Sequence, residues 1–259
     1  MQQVIQLPWF GQIRSYTFFT NLGSVLGSLM VLLLLYYAYR NIRQAIKVFL
    51  LGLLLVLAGS FLGQFIRGLS YGNFEDMLDL LTLFASGHGI HFIGRVIVTI
   101  AFFPILYCKL FAKEKSSLNR DYDYICLFLA FQHMFNRLAC LMNGCCYGKS
   151  YSGFGAMQFT WIGGEGPAIS YPVYPTQLFE MTGMLVLFLL MLVLIKIGKH
   201  VQLVFGLGFS FVIFISEYMM DVTGTILIFG LTVIQIASLV LAVLSVFVWI
   251  NTCRRADSY

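Results

Sequence analysis

Seven stretches of this chain are each about 20 residues long and almost free of charge, the length a helix needs to cross a bilayer core. They fall at residues 18–38, 46–66, 91–111, 122–141, 177–197, 202–220 and 226–250. Inside lipid a backbone must satisfy its own hydrogen bonds, so such stretches have to be helices. Composition agrees: 59% of residues are hydrophobic and 10% charged, against roughly 25% charged in soluble domains. The expectation is an all-α polytopic membrane protein with seven transmembrane helices, forming a single integral-membrane domain over residues 1–259. There is no internal repeat, and "MQQVIQLPWFGQIRSY" lacks the basic region that opens a cleavable signal peptide.

Lysine and arginine in the connections set orientation. Arg40, Arg43 and Lys47 follow the first span, and Lys109, Lys113, Lys115 and Arg120 the third. Lys196 and Lys199 follow the fifth, and Arg254 and Arg255 the seventh. The alternate connections hold Arg14, Arg67 and Lys149. This pattern predicts an outside N-terminus and a cytoplasmic C-terminus. Residues 67–90, 142–176 and 221–225 are then outside. The formal charge of +5 is not gathered into one face, so nucleic acid is not an expected partner. The long connection "KSYSGFGAMQFTWIGGEGPAISYPVYPTQ" reads either as an ordered cap over an outer-facing site or as a surface loop.

Charges within spans are costly, about 2.5–3.5 kcal/mol each on insertion scales, and usually face a cavity or a partner. Arg95, Arg137, Glu180 and Glu217 are such charges, with His91, His133, Asn136 and Gln177 as polar neighbours. At least one Arg–Glu pair inside the bundle is expected. His133 and Arg137, spaced i, i+4, share a helix face. A proton acceptor and a planar bidentate cation there suit a phosphate-bearing headgroup. In "RLACLMNGCCYG", Gly144 and Gly148 bracket Cys145, Cys146 and Tyr147, and exposed backbone N–H groups there suit phosphate oxygens. The two cysteines read as buried small hydrophobes, as a strained vicinal disulfide or as a catalytic thiol pair. The six cysteines show no paired ligand spacing, so neither metal nor cofactor is expected. In "YPVYPTQLFE" two prolines set the entry to the fifth span, with Thr176 as its expected cap and Gln177 and Glu180 following. His88, His91 and Arg95 share a face if a helix begins near Gly89.

These residues resemble the prolipoprotein diacylglyceryl transferases. "NRLACLMNGCCYG" is similar to the family signature G-R-x-G-N-F-x-N-G-E-x-x-G, keeping Arg137, Asn143, Gly144 and Gly148 in register. Cys140 stands in place of its first asparagine and Cys145 in place of its acid. "YPTQLFE" is similar to H-P-S-Q-L-Y-E. "LPWFGQIRSYTFFTNLGSVLG", which contains Tyr16, is similar to the family's N-terminal I-R-W-Y-G stretch, and "LTVIQIASLVLAVLS" to its last span. The chain resembles a divergent, GCCYG-type branch. Ile93 stands at the register of the family histidine, with His88 and His91 nearby, and Ile213 at that of an arginine.

The resemblance implies transfer of a diacylglyceryl group from phosphatidylglycerol to the lipobox cysteine of a prolipoprotein, in the bacterial cytoplasmic membrane. The implied partners are phosphatidylglycerol, a prolipoprotein signal peptide and membrane lipids, with the protein acting as a monomer. On this reading the catalytic candidates are His133, His91 and Arg137. The substrate-binding candidates are Arg137, Asn143, Gly144, Gly148, Arg95, Gln177, Glu180, Tyr16 and Glu217. Two alternatives remain: a different acceptor with the same lipid donor, and a non-catalytic lipid-binding or transport protein.

Overall fold

The computed structural model describes residues 4–7, 11–72, 92–111, 115–159, 171–198 and 200–256. His88 and His91 lie outside these described residues. Among the described residues, seven long helices run alternately up and down: α1 Ser15–Tyr39, α2 Ile42–Tyr71, α3 Ile93–Leu110, α4 Leu118–Asn143, α5 Thr176–Ile197, α6 Val201–Met219 and α7 Val233–Ala256. All seven are long and apolar enough to cross a membrane. Two short hairpins accompany them, β1 Val4–Leu7 with β2 Gly11–Arg14 and β3 Leu227–Ile228 with β4 Leu231–Thr232.

The helices close a ring in the order α1, α4, α5, α6, α7, α3, α2, and α4 also touches α2, α3 and α6. The position of α4 follows from its sequence. It is the least hydropathic span, and 56% of its most apolar stretch is buried, against 22% for α1 and α5. A helix carrying Asp121, His133, Asn136 and Arg137 hides these groups among other helices, whereas α1 and α5 face outward with Leu29, Leu33, Leu189 and Val193. Away from the site, buried Asp121 accepts hydrogen bonds from the hydroxyls of Tyr39 and Tyr107 and pairs with Arg120 at 3.0 Å. This network ties α1, α3 and α4 together.

Helices α2 and α3 pack backbone to backbone. A Cβ added to Gly94 would lie 2.2 Å from Gly63 N, and one added to Gly59 would lie 2.4 Å from Arg95 Cα. Small residues permit this approach, and dispersion between the helices supports it in the absence of a hydrophobic drive in lipid. Gly94→Ala is therefore expected to force the helices apart and lower stability by about 1–3 kcal/mol, read as a lower midpoint of thermal unfolding in detergent. An unchanged midpoint would show that this contact does not hold α3 in place.

Six of the seven expected spans differ from the observed helices by no more than five residues at either end. The seventh starts at Val233 instead of 226. Residues 226–231 are apolar, but Phe229 (φ 52°) and Gly230 (φ 79°) turn the chain back into the β3–β4 hairpin. A capping box then starts the helix: Thr232 N–H donates to Gln235 Oε1 at 3.0 Å, and Gln235 N–H to Thr232 Oγ1 at 3.2 Å. Helix α3 begins at Ile93. Thr176 does not cap α5 through its side chain. Pro175 holds the cap position, and the Thr176 hydroxyl instead donates to the Cys146 carbonyl.

Candidate active site

All seven helices bring side chains to one end of the bundle around a partly open cavity of about 250 Å³. Tyr16 comes from the start of α1, Arg67 and Tyr71 from the end of α2, and Ile93 from the start of α3. His133, Asn136, Arg137 and Cys140 come from the last turns of α4, and Glu180 from α5. Ser216 and Glu217 end α6, Ile234 opens α7, and Cys146 follows α4. The up-and-down topology causes this convergence, because each helix starts or stops at this end.

Glu180 organises the polar wall. It is 1% exposed, and its Oε2 lies 2.6 Å from Arg137 Nε and 3.0 Å from His133 Nε2. Ser216 Oγ donates to its other oxygen at 2.9 Å. The expected Arg–Glu pair is thus Arg137–Glu180, joined by a histidine and a serine. A buried carboxylate needs such donors, because desolvation without them would exceed the attraction of one cation. The Arg137 side chain remains 16% exposed and lines the cavity.

His133 is 1% exposed. Its ring sits between Phe92 and Phe209, with centroid distances of 4.8 and 5.1 Å. With Nε2 turned to Glu180, Nδ1 has no hydrogen-bond partner among the described residues. Beside this cluster the Tyr16 hydroxyl donates to Asn136 Oδ1 at 3.3 Å, and both residues line the same cavity.

Several expected site residues lie beside the cavity and do not line it. Arg95 is half-buried, its Nε donating to Ser60 Oγ at 2.9 Å and its guanidinium 5.5 Å from the Phe92 ring centroid. Gln177 donates from Nε2 to the Cys145 carbonyl, so its amide orders the loop after α4. Gly148 N–H donates to the Tyr174 carbonyl at 2.8 Å. A Cβ there would lie 2.3 Å from Met219 O, so the glycine serves a tight backbone crossing and its N–H is not available to phosphate. Gly144 caps α4 with φ 71°, a conformation glycine adopts without steric cost. Asn143 ends α4. Glu217 lines the cavity, but among the described residues it forms no ion pair with either arginine; its carboxyl meets Thr232.

The cavity also contains residues that the sequence reading did not select. Arg67 was hidden because the apolar window ends at residue 66, while α2 continues to Tyr71. Ser216 carried no signal beyond its position next to Glu217. Cys140, which stands in place of the signature's first asparagine, is not among the expected site residues. In the structure the Sγ atoms of Cys140, Cys145 and Cys146 all lie within 4.8 Å of one another. Cys140, Cys145 and Cys146 are free thiols. The loop after them is ordered where described: Ser150 and Met157 bridge to Val173, and Tyr151 stacks on Tyr174 at 3.9 Å.

The family description of prolipoprotein diacylglyceryl transferase matches residues 2–251. The chain belongs to the prolipoprotein diacylglyceryl transferase family. It is accordingly a multi-pass membrane protein of a transferase family whose members act in lipoprotein biosynthesis. No curated protein gives a significant match. Within the family frame, two apolar residues acquire meaning. Ile93 and Ile213, which stand where the resemblance has a histidine and an arginine, both line the cavity. The cavity keeps Arg137 as its anchored cation and adds Arg67.

Proposed function

We propose that this protein transfers the diacylglyceryl group of phosphatidylglycerol to the cysteine thiol of a prolipoprotein signal peptide, with glycerol phosphate leaving. The observation that carries this reading is Arg137, a guanidinium held by Glu180 through Nε and lining a cavity whose other walls include Ile93, Ile213 and Ile234. Arg137 grips the departing phosphate and offsets charge as the carbon–oxygen bond breaks. Arg67 adds positive potential from α2. Glu180 acts as a positioning residue, fixing the cation before the lipid arrives. His133 takes the thiol proton. Its Nε2–H is committed to Glu180, which leaves the Nδ1 lone pair as acceptor. Tyr16 and Asn136 form the edge against which the headgroup rests.

The basic connections at the far end of the bundle support a cytoplasmic-membrane location with the cavity facing outward. There it meets both the outer-leaflet lipid and a secreted peptide. Membranes containing the protein are expected to convert labelled phosphatidylglycerol and a lipobox peptide into thioether-linked product, and the gene is expected to rescue a strain depleted of its own transferase. Absence of both product and rescue would overturn the reading.

A second reading changes the acceptor and keeps the donor. It is favoured by Ile93 and Ile213, which remove a histidine and an arginine from the cavity wall. Mass spectrometry of products formed from labelled phosphatidylglycerol in total membranes separates the two, because a non-lipobox acceptor appears as a different labelled species.

A further inference from the structure

We propose that Cys140, Cys145 and Cys146 form a three-thiolate site for one zinc-class divalent cation, with its fourth coordination position open to the cavity. The three Sγ atoms lie within 4.8 Å of one another. Tetrahedral zinc–thiolate bonds of about 2.3 Å place sulfurs roughly 3.8 Å apart, a closure of about 1 Å that side-chain rotation supplies. The donors are soft thiolates, which select zinc-class over oxygen-loving cations.

The backbone that presents the thiols is fixed from several directions. Gly144 turns the chain out of α4, and Cys145 N–H donates to the Cys140 carbonyl at 3.1 Å. Gln177 and Thr176, at the start of α5, hold the carbonyls of Cys145 and Cys146. Cys146 itself sits at φ 60°, a left-handed conformation that a non-glycine residue keeps only when its surroundings enforce it. Such supporting contacts are what a metal site needs to hold its ligands in place. Three thiolates and a divalent cation carry a net single negative charge, and the Arg137 guanidinium, paired with Glu180, lines the same cavity as Cys140 and Cys146.

Cys140 and Cys146 line the same cavity as Arg137 and His133. Three protein ligands and one open position are the arrangement of reactive zinc centres, whereas structural zinc is closed by four. The open position takes an exogenous thiolate. This second part rests on the transfer reading above. The acceptor thiol gives its proton to His133 Nδ1 and binds the cation as thiolate. Its sulfur then forms the S–C bond as the glyceryl C–O bond breaks, both electrons leaving on the glycerol phosphate oxygen. The cation's oxidation state does not change.

Cobalt(II) tests the site on the full-length protein in detergent under reducing, anaerobic conditions. One equivalent per chain is expected to produce intense thiolate-to-cobalt charge-transfer absorption, displaced by zinc(II). Cys140→Ser, Cys145→Ser and Cys146→Ser are each expected to weaken binding by about 100-fold or more, since losing even an outer partner costs about 10–100-fold. Cys126→Ser, at a buried cysteine elsewhere on α4, should leave it unchanged. Circular dichroism confirms that each variant retains its helices. No charge-transfer band in the native protein, or a band of equal strength in the triple serine variant, overturns the site. Adding a lipobox peptide should alter the cobalt ligand-field bands, and its serine counterpart should not. A formed cobalt site that ignores the thiol peptide overturns the open position alone, and the labelled-lipid assay judges the transfer reading separately.

Discussion

Arg137→Ala is expected to lower diacylglyceryl transfer by roughly 100-fold or more, the scale of losing a preorganised contact to developing charge in a water-poor site. The loss should fall on kcat as well as on kcat/KM, because the phosphate charge that Arg137 meets grows as the bond breaks. Arg137→Lys should recover little. Lysine keeps the charge, but it lacks the planar fork that lets one nitrogen hold Glu180 while the others face the cavity. The measurement is initial rate against phosphatidylglycerol concentration in membranes of matched protein content. A variant with wild-type rates would remove Arg137 from the reaction and, with it, the proposed function of the cavity.

Glu180→Ala should cost more in stability than any other single change at this end of the bundle. Three groups converge on that carboxylate: Arg137 Nε as an ion pair, His133 Nε2 at 3.0 Å and Ser216 Oγ, which donates at 2.9 Å. Its removal leaves a guanidinium in a mostly buried position without its counter-charge, a situation that costs about 3–5 kcal/mol. The side chain also links α4, α5 and α6, so its loss loosens three helices at once. Glu180→Gln separates the two contributions, since an amide preserves the volume and one acceptor oxygen but not the charge. Its loss should be intermediate. Unfolding in detergent, followed by circular dichroism, measures both. If alanine at 180 leaves the transition unmoved, Glu180 does not anchor this cluster.

Much of the cavity wall could be read along the chain. Arg137, His133, Glu180 and Glu217 announce themselves because ionisable groups in apolar helices are costly and must be answered by partners. Their helical spacing shows which of them share a face. It does not show which helix supplies the answering charge. Glu180 and Glu217 were equal candidates to meet an arginine, and packing chose Glu180 because α5 lies beside α4 in the ring while the end of α6 turns Glu217 toward Thr232. Gln177 and Gly148 looked like ligand-binding residues because they stand in a motif, yet their polar groups hold the loop backbone in place.

What the sequence determined alone was the number of spans, the placing of most of their ends and the need for a polar interior. Each of these follows from local chemistry: the length of an apolar run, the cost of bare backbone in lipid, the cost of an unpaired charge. Tertiary structure alone decided which helices surround α4, that Arg67 joins the cavity and that a cysteine inside a span meets two in the following loop. Such meetings depend on side-chain direction and on which helices are neighbours, and neither is encoded within a window of one helix's length.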